Sequence, residues 1–546
     1  MVQPLQLKRE RVGRTKIASN LPFLSVLVDT GVFHLDQPYD YAVPEKLDPK
    51  VGEWVSVPFN GRNCSGLILE RRSSTNSSGI KPINRIIKGP AITGKLYEFY
   101  KAVAKRWACP IFDVLRFAVH YREYSEIIKN EAQGKRNYLQ LSVETDEIVQ
   151  VRNIVEKLAK TGATLLIVPE VRTSELLKSN LYEVGMRGAV LNPKIYSNIV
   201  ILREESEHHY EIRSPGFNSR DVALLRNEIL GENLLFLGFS PSLEMLRLID
   251  NKYVSLKRTS FRSEVSAKPS IQGELIPSAM VKPFKAQLSS GPNLVVVPNK
   301  GYGLAISCAA CRNVARCECG GRLSKASKNE SPYCVICGKV VSQWRCKYCQ
   351  KDRIYLLGKG INRVAEELGR AFPNVEIHIS TADKPLTDPV SKRSLVISTA
   401  GAVPNQRFAS VLFLEGLLLG SDLRSEERYL SNLFRYTAAA NGRAFIVDRP
   451  ESPFINALIK WNPFAQLERS LIEMRDAKLP PATRHALIRS EEGSRIYTGL
   501  QSAIRDGRLP HSCRIHQVEN EIISIFFPIK DSAKVLDFLY EYHKRR

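Results

Sequence analysis

The chain has 546 residues, 43% of them hydrophobic, and a formal net charge of +23. That length can bury several cores, of the order of three to five domains. So large a basic surplus favours a polyanionic partner, nucleic acid before an anionic membrane, because clustered Lys and Arg release the counterions of phosphates. No stretch approaches the ~20 apolar residues of a membrane-spanning helix. The basic start, MVQPLQLKRERVGRTKIASN, lacks the apolar core of a secretory signal. The expectation is a cytoplasmic, nucleoid-associated protein with no membrane partner.

Residues 1–20 read as a basic disordered tail. From 21 to 132 the chain opens with short runs of alternating apolar and polar residues (FLSVLVDTGV, YDYAVP, EWVSVPF, SGLILE) punctuated by Gly, Pro and Asn, which predict a small β-rich unit. STNSSGIKP is a loop, and from Gly94 to about Asn130 the apolar spacing becomes helical. Over 133–260 the strand-like runs ATLLIVPE, SNIVILRE and NLLFLGFS alternate with helical runs, which predicts a parallel sheet with helices on its faces. A Ser/Lys/Arg-rich stretch, 261–290, reads as a linker. A second α/β unit covers 291–475 and is interrupted by a cysteine-rich insertion at 305–353. The last part, 476–546, reads as a small α+β domain.

The chain has eleven cysteines, and those between 308 and 349 form four close pairs: Cys308/Cys311, Cys317/Cys319, Cys334/Cys337 and Cys346/Cys349. Cys64, Cys109 and Cys513 are scattered and read as small buried apolar side chains. A C-x2-C turn aims two thiolates at one metal, and two such turns complete a tetrahedron. Four pairs therefore supply two closed zinc sites with no open position, structural rather than catalytic. Spacing leaves three ways of pairing the turns. The C-x-C pair makes the tighter chelate, and Gly320-Gly321 behind it permits a sharp turn. The insertion is also basic, with Arg312, Arg316, Arg322, Lys328, Lys339, Arg345 and Lys347 among its residues.

With the cysteines placed inside an α/β unit, the order of parts resembles the primosomal protein N′ (PriA) family of replication-restart helicases over nearly the whole chain. QPYDYAVPEKL followed by GEWVSVPFNGR is similar to the family's first-domain signature. GFSPSLEML, VVVPNKGYGLAISCAAC, DLRSEERYLSNLFRYTAAANGRA and LPPATRHALIR are similar to later motifs in the same order. The resemblance implies an α/β fold: two degenerate RecA-like helicase lobes with a two-zinc, eight-cysteine insertion, an N-terminal β-rich domain that binds the 3′ end of DNA, and a small C-terminal α+β domain. It implies a 3′-end pocket of Tyr39, Asp40, Tyr41, Asn60 and Lys81, where an aromatic ring stacks a base, a carboxylate accepts from the terminal hydroxyl and a lysine meets phosphate. The family usually has Gly where Asn60 stands. It also implies that Cys308, Cys311, Cys346 and Cys349 hold one zinc, and Cys317, Cys319, Cys334 and Cys337 the other. The family's second turn is usually C-x2-C.

The motor parts of that family are missing. A helicase needs G-x-x-x-x-G-K-[ST], whose amides cradle phosphates and whose Lys meets them. At that place this chain has YLQLSVETDEIVQVRNIVEK, without a glycine loop, and Lys160-Thr161 falls at the far end of the helix. The metal-binding DEEH reads REESEHHYEI, with Arg203 where the magnesium-holding Asp belongs. The arginines of the last helicase region are replaced by TAAANGR, which leaves Arg443 displaced. GKGINR (358–363) reads as a strand-to-helix turn, His208 and His209 as a solvated loop, and the family's winged helix is reduced to little more than YREYSEIIKNEAQGKR. Motor-less members occur among actinobacteria, and the likeness to them is closer. The sequence thus suggests a helicase-dead restart protein with two Zn2+, no catalytic residues and no ATP hydrolysis. Its expected partners are branched or 3′-ended DNA, primosome components, the replicative helicase or its loader, and single-stranded DNA-binding protein. The rivals are an active ATP-dependent 3′-5′ helicase with divergent motifs and a zinc-ribbon protein of RNA metabolism or transcription.

Overall fold

Strict alternation in FLSVLV sends Leu24, Val26 and Val28 to one side of a strand and Leu27 to the other, and the first unit is built on that alternation. A computed structural model of the chain describes residues 16–119, 134–269, 274–297, 303–311, 313–325, 330–359, 361–414 and 423–545. Five antiparallel strands come first: β1 (Phe23–Val28), β2 (Pro38–Ala42), β3 (Trp54–Phe59), β4 (Arg62–Arg72) and β5 (Arg85–Ile87), in the order β2-β1-β4-β3-β5. The two edges meet: Ala42 N–H donates to the Lys81 carbonyl, and Ile83 N–H donates to the Ala42 carbonyl, each at 3.0 Å. This one bridge, between Ala42 and Pro82, curls the sheet into a small, partly open barrel. Leu24, Val26, Tyr41, Val55, Val57 and Ile68 fill its interior. Of the basic tail, residues 16–20 are described and add an Ile17–Pro44 bridge to this unit; residues 1–15 lie outside the described residues.

The helical stretch from Gly94 divides into α1 (Gly94–Arg106) and α2 (Ile111–Val119). The break falls at Ala108, with a φ of 49°, and Pro110, which has no N–H to continue the ladder. Residues 120–133, which hold the segment read as a reduced winged helix, lie outside the described residues.

The first α/β unit contains β6 (Arg136–Gln140), α3 (Glu147–Ala159), β7 (Thr164–Ile167), α4 (Val171–Leu176), β8 (Glu183–Gly185), β9 (Asn198–Leu202), α5 (Ser219–Leu230), β10 (Asn233–Gly238), α6 (Leu243–Asp250) and β11 (Ser255–Lys257). Its strands are all parallel, in the order β11-β6-β10-β9-β7-β8. The fully buried run of β9, NIVIL, is what a strand covered on both faces requires.

The stretch 261–290, read as a linker, is a correction. It supplies β12 (Glu264–Lys268) and α7 (Ser278–Ala286), and β12 pairs in parallel with the second sheet. As an edge strand β12 is only half-buried, so its sequence, EVSAK, carries no apolar run. The second unit continues with β13 (Asn293–Val297), then the cysteine insertion with β14 (Gly303–Cys308), β15 (Leu323–Ser324), β16 (Tyr333–Cys334) and β17 (Ile354–Lys359). After it come α8 (Ile361–Ala371), β18 (Glu376–Ser380), β19 (Ser394–Thr399), β20 (Ser410–Phe413), α9 (Ser425–Ala439), β21 (Arg443–Val447), α10 (Pro453–Ile459) and α11 (Phe464–Asp476). The parallel order is β12-β21-β20-β13-β19-β18, and β14 and β17 form an antiparallel stalk that leaves the carboxyl end of β13. The turn read at 358–363 joins β17 to α8; Gly360 within it lies outside the described residues.

A last unit has β22 (Thr483–Arg489), α12 (Gly493–Arg505), β23 (Arg514–Glu519), β24 (Ile522–Pro528) and α13 (Ser532–Lys544), with antiparallel strand order β22-β24-β23 and a core of its own. Cys109 and Cys513 are buried and Cys64 is half-buried. Among the described residues no helix is long and apolar enough to cross a membrane.

The two α/β units share one continuous core, closed around Trp461. This ring is 2% exposed and sits against Phe434 at 4.8 Å, Phe261 at 5.9 Å and Phe239 at 6.3 Å, which belong to the second unit, the joining stretch and the first unit. Trp461→Ala is expected to cost about 3–5 kcal/mol and to split a single calorimetric transition into two. A single transition at the wild-type midpoint would show that the ring does not couple the units.

Candidate metal centres and nucleic-acid interface

The eight clustered cysteines are gathered into two groups of four, Cys308/Cys311/Cys346/Cys349 and Cys317/Cys319/Cys334/Cys337, with all sulfurs of a group within 4.8 Å of one another. Cys308 to Cys349 is 3.3 Å, Cys311 to Cys346 3.4 Å, Cys319 to Cys334 3.4 Å and Cys317 to Cys337 3.7 Å. A tetrahedral ion with metal–sulfur bonds of about 2.3 Å places its ligands about 3.8 Å apart, so each group fits one such ion and leaves no position open. The first group forms where the β14–β17 stalk ends; the second lies beyond it, beside a small core of Ile306, Ala315 and Leu323. Backbone amides prepare the thiolates that a metal needs. The Asn313 backbone amide draws Cys311 down to about 6 and the Cys337 amide does the same for Cys334, while against the amides of Gly321 and Lys351 the neighbouring sulfurs raise Cys319 to about 11 and Cys349 to about 12, so that without a metal each group holds some of its protons. The C-x-C turn closes because of its glycines. Gly320 adopts a φ of +84°, and a Cβ on Gly321 would lie 2.6 Å from the Cys334 sulfur.

The residues expected at the DNA end divide between the two faces of β2, the β3–β4 turn and the segment beside Ala42. Tyr39 is half-buried, donates its hydroxyl to the Leu35 carbonyl at 3.2 Å and meets the Phe59 ring edge-on at 5.0 Å. Tyr41, 4% exposed, points into the barrel, and burial pushes its hydroxyl up to about 12. Asp40 alternates to the other side of β2 from both tyrosines. There it accepts from the hydroxyls of Thr75 and Ser77 and faces Arg72 at 3.8 Å. These three partners were not singled out in the sequence, where Thr75 and Ser77 look like ordinary loop residues. Asn60 and Gly61 form the two-residue turn between β3 and β4 with φ of 44° and 74°. That is the mirror-image hairpin turn that Asn-Gly favours, and asparagine replaces glycine there at little cost. Closure of the barrel sets Lys81, exposed, beside Tyr41 through the Ala42 hydrogen bond.

In an open parallel sheet the carboxyl ends of the strands face the ligand crevice. Here those ends carry an ion network that reaches across to the second unit. Asp146 caps α3 by accepting from the amides of Ile148 at 2.9 Å and Val149 at 3.3 Å, so a carboxylate of the protein occupies the helix N-terminus. Arg203, after β9, is 3% exposed. It holds Glu170 through two nitrogens at 3.0 and 2.7 Å and lies 3.3 Å from Glu147. Arg435 of α9 approaches the same carboxylates from the second unit, at 3.5 Å from Glu147 and 3.9 Å from Glu170. Further ties are Ser431 to Glu205 at 2.8 Å, and Arg424, which binds Glu244 through both terminal nitrogens and Glu427 at 2.7 Å. Burial, reinforced by Glu204, raises the Glu205 carboxyl to about 8.

Arg443, the arginine that the sequence singles out, is not at this crevice; it pairs with Glu264 of β12 at 2.7 Å. Arg435, eight residues earlier on the face of α9, is the one that is, and only the arrangement of α9 reveals it. His208 is exposed as expected. His209 is a correction: it is fully buried, bonds the Leu202 carbonyl at 2.9 Å, and burial lowers it to about 4.

Residues 25–120, which contain all five expected end-pocket positions, match the family described as the 3′DNA-binding domain (3′BD) of PriA. The "Probable replication restart protein PriA" of Mycobacterium bovis is 27% identical over 88% of this chain and 88% of its own length. That of Mycobacterium leprae is 24% identical over 87% and 88%. The "Replication restart protein PriA" of Rickettsia conorii is 21% identical over 63% and 65%. A solved structure, Saccharomyces cerevisiae Dbp5 bound to RNA and ADP BeF3, overlaps 66% of this chain and 91% of its own at 10% identity and a TM-score of 0.31, a value too low to bear on the fold.

Two measurements probe the site. Gly321→Ala should lower the bound metal measured by atomic emission from two equivalents to one, leaving the Cys308 group loaded. Two equivalents in the variant would mean that the turn is not constrained as described. Arg203→Ala leaves Glu147 and Glu170 half-compensated in a buried place, and should destabilise the chain by about 3–5 kcal/mol in urea unfolding. The pH dependence of this network has a definite sign. Burial opposes the Glu170 carboxylate, but Arg203 and Arg435 outweigh it and hold it at about 2. Its contribution is therefore complete above an unfolded value of about 4.3 and is lost as the pH falls from there towards 2. The Arg203→Ala chain should lose less stability over that window than the parent.

Proposed function

The chain belongs to the replication restart protein PriA family, and from that premise we propose that it is a restart scaffold that binds DNA ends and forks without hydrolysing ATP. The barrel takes the 3′ end of a strand at a branched or abandoned fork. The two α/β units are helicase lobes whose motor has been lost, and the cysteine groups each hold a structural zinc ion. The protein then helps bring the replicative helicase, its loader and single-stranded DNA-binding protein back to the fork, at the nucleoid in the cytoplasm.

The observation that carries the non-hydrolysing reading is the filled crevice. Phosphates bind a helix N-terminus through free amides and a positive field. At α3 those amides are bonded to Asp146, and Glu147 stands in the first turn. Where a magnesium ligand is needed, Arg203 presents a guanidinium, which repels a cation. The barrel's match to a 3′DNA-binding domain supports the end-binding part, and Tyr39 is its half-buried ring available for stacking.

The test compares a fork with a free 3′ leading-strand end, the same fork with a 3′ phosphate, and linear duplex, at physiological salt, with and without ATP. The free end should bind most tightly, ATP should change nothing, and no phosphate should be released. Tyr39→Ala or Lys81→Ala should remove the preference, by about tenfold for the stacked ring. Equal binding to the three DNAs would overturn the end-binding reading. DNA-stimulated phosphate release would overturn the scaffold in favour of a divergent motor.

A further inference from the structure

A cavity of about 2600 Å³ opens where the barrel, the first unit, the metal-bearing insertion, α9 and the last unit come together. It is larger than the roughly 300–1,000 Å³ of small-molecule sites, and none of Tyr39, Asp40, Tyr41, Asn60 or Lys81 lines it. Arginines outnumber carboxylates on its wall, and no lysine is among the described lining residues.

Much of that charge is already committed. Arg220 is held by Glu204 at 3.1 Å and Asp221 at 3.2 Å, and Arg424 by Glu244 and Glu427. Among the arginines of this wall that no carboxylate holds closely are three from three different parts of the chain. Arg106 ends α1 and lies over the Trp107 ring at 5.5 Å; among the described residues the carboxylate that pairs with it is Asp221, at 3.8 Å, which Arg220 holds more closely. Arg247, on α6, donates to the Pro481 carbonyl at 2.6 Å, and no carboxylate pairs with it among the described residues. Arg484, on β22, is half-buried with neither a side-chain hydrogen bond nor an ion pair among the described residues, and Arg106, Arg247 and Arg220 all repel it against the attraction of Asp221. Burial and that repulsion lower it to about 10. A folded chain gains nothing from three guanidiniums crowded into a partly desolvated space. One carboxylate, Asp221, is shared among them, and they are stabilised when a further anion joins it.

The rest of the wall says what kind of anion. Tyr210 is 49% exposed, Ile212 78% and Leu487 52%, and all three border the same space. An aromatic ring and apolar side chains next to arginines form a surface for stacked bases with phosphates alongside. The volume of this open cavity suits a few nucleotides of one strand.

We propose that this cavity is a second nucleic-acid site, which takes a single strand with its phosphates on Arg106, Arg247 and Arg484 and a base against Tyr210. The inference rests on the nucleic-acid reading above but not on recognition of a 3′ end. It is tested by fluorescence anisotropy of the full chain with a 3′-phosphorylated oligothymidylate, over a range of salt. Arg247→Gln/Arg484→Gln should weaken binding at least about tenfold and reduce the salt slope by about 0.7 for each phosphate that is no longer neutralised, with a melting temperature equal to the parent's or higher because like charges have been removed. Arg484→Lys should keep most of the affinity. Tyr210→Ala, at an exposed position that carries no folding risk, should weaken binding about tenfold without changing the slope. Both variants should retain the preference for a free over a blocked 3′ end, whereas Tyr39→Ala should lose that preference and still bind the blocked oligonucleotide. Unchanged affinity in the double variant or in Tyr210→Ala would overturn the proposal. So would equal competition by oligoglutamate, which would make the cavity a site for acidic peptide.

Discussion

A guanidinium that is 3% exposed cannot stand alone, and Arg203 draws the rest of the molecule around its need for carboxylates. It takes Glu170 from the end of β7 and Glu147 from the start of α3. Those carboxylates in turn accept Arg435 from the second unit. An arginine at the carboxyl end of a parallel strand is thus held by carboxylates of the chain itself. The two units are consequently joined by fixed ionic contacts as well as by the apolar seam around Trp461.

That junction gives the other parts their relation to one another. The barrel leans on α1 and α2, whose buried faces continue the core of the first unit. The metal-bearing insertion leaves the second sheet at the end of β13 and returns at α8, so an entire stalk is added without disturbing strand order. Among the described residues the insertion has only a small core of its own, which includes Cys317 and Cys334. The last unit has a separate core and meets the others across the arginine-lined cavity.

Several features were legible because they are local. Alternation in FLSVLV and EWVSVPF marked the barrel strands, the buried run in SNIVILRE marked a parallel strand, and Asn60-Gly61 followed the sequence rule for a tight hairpin. The stretch that holds β12 was misread as linker because an edge strand can be polar and still pair. His209 was placed in solvent because it sits beside glutamates and His208 with no third ligand evident, whereas its ring turns inward to the Leu202 carbonyl.

The sequence by itself determined that thiolates come in close pairs, that Arg203 stands where an acid would be needed, and that positive charge is in surplus. Each of these is written in neighbouring residues and in composition. Only the tertiary structure decided which cysteines share a group, that Arg435 rather than Arg443 reaches the crevice, and that Arg106, Arg247 and Arg484 meet with too few carboxylates among them. Those facts join residues from tens to hundreds of positions apart. Charge and coordination act through space over a few ångströms, and the fold alone sets which side chains come that close.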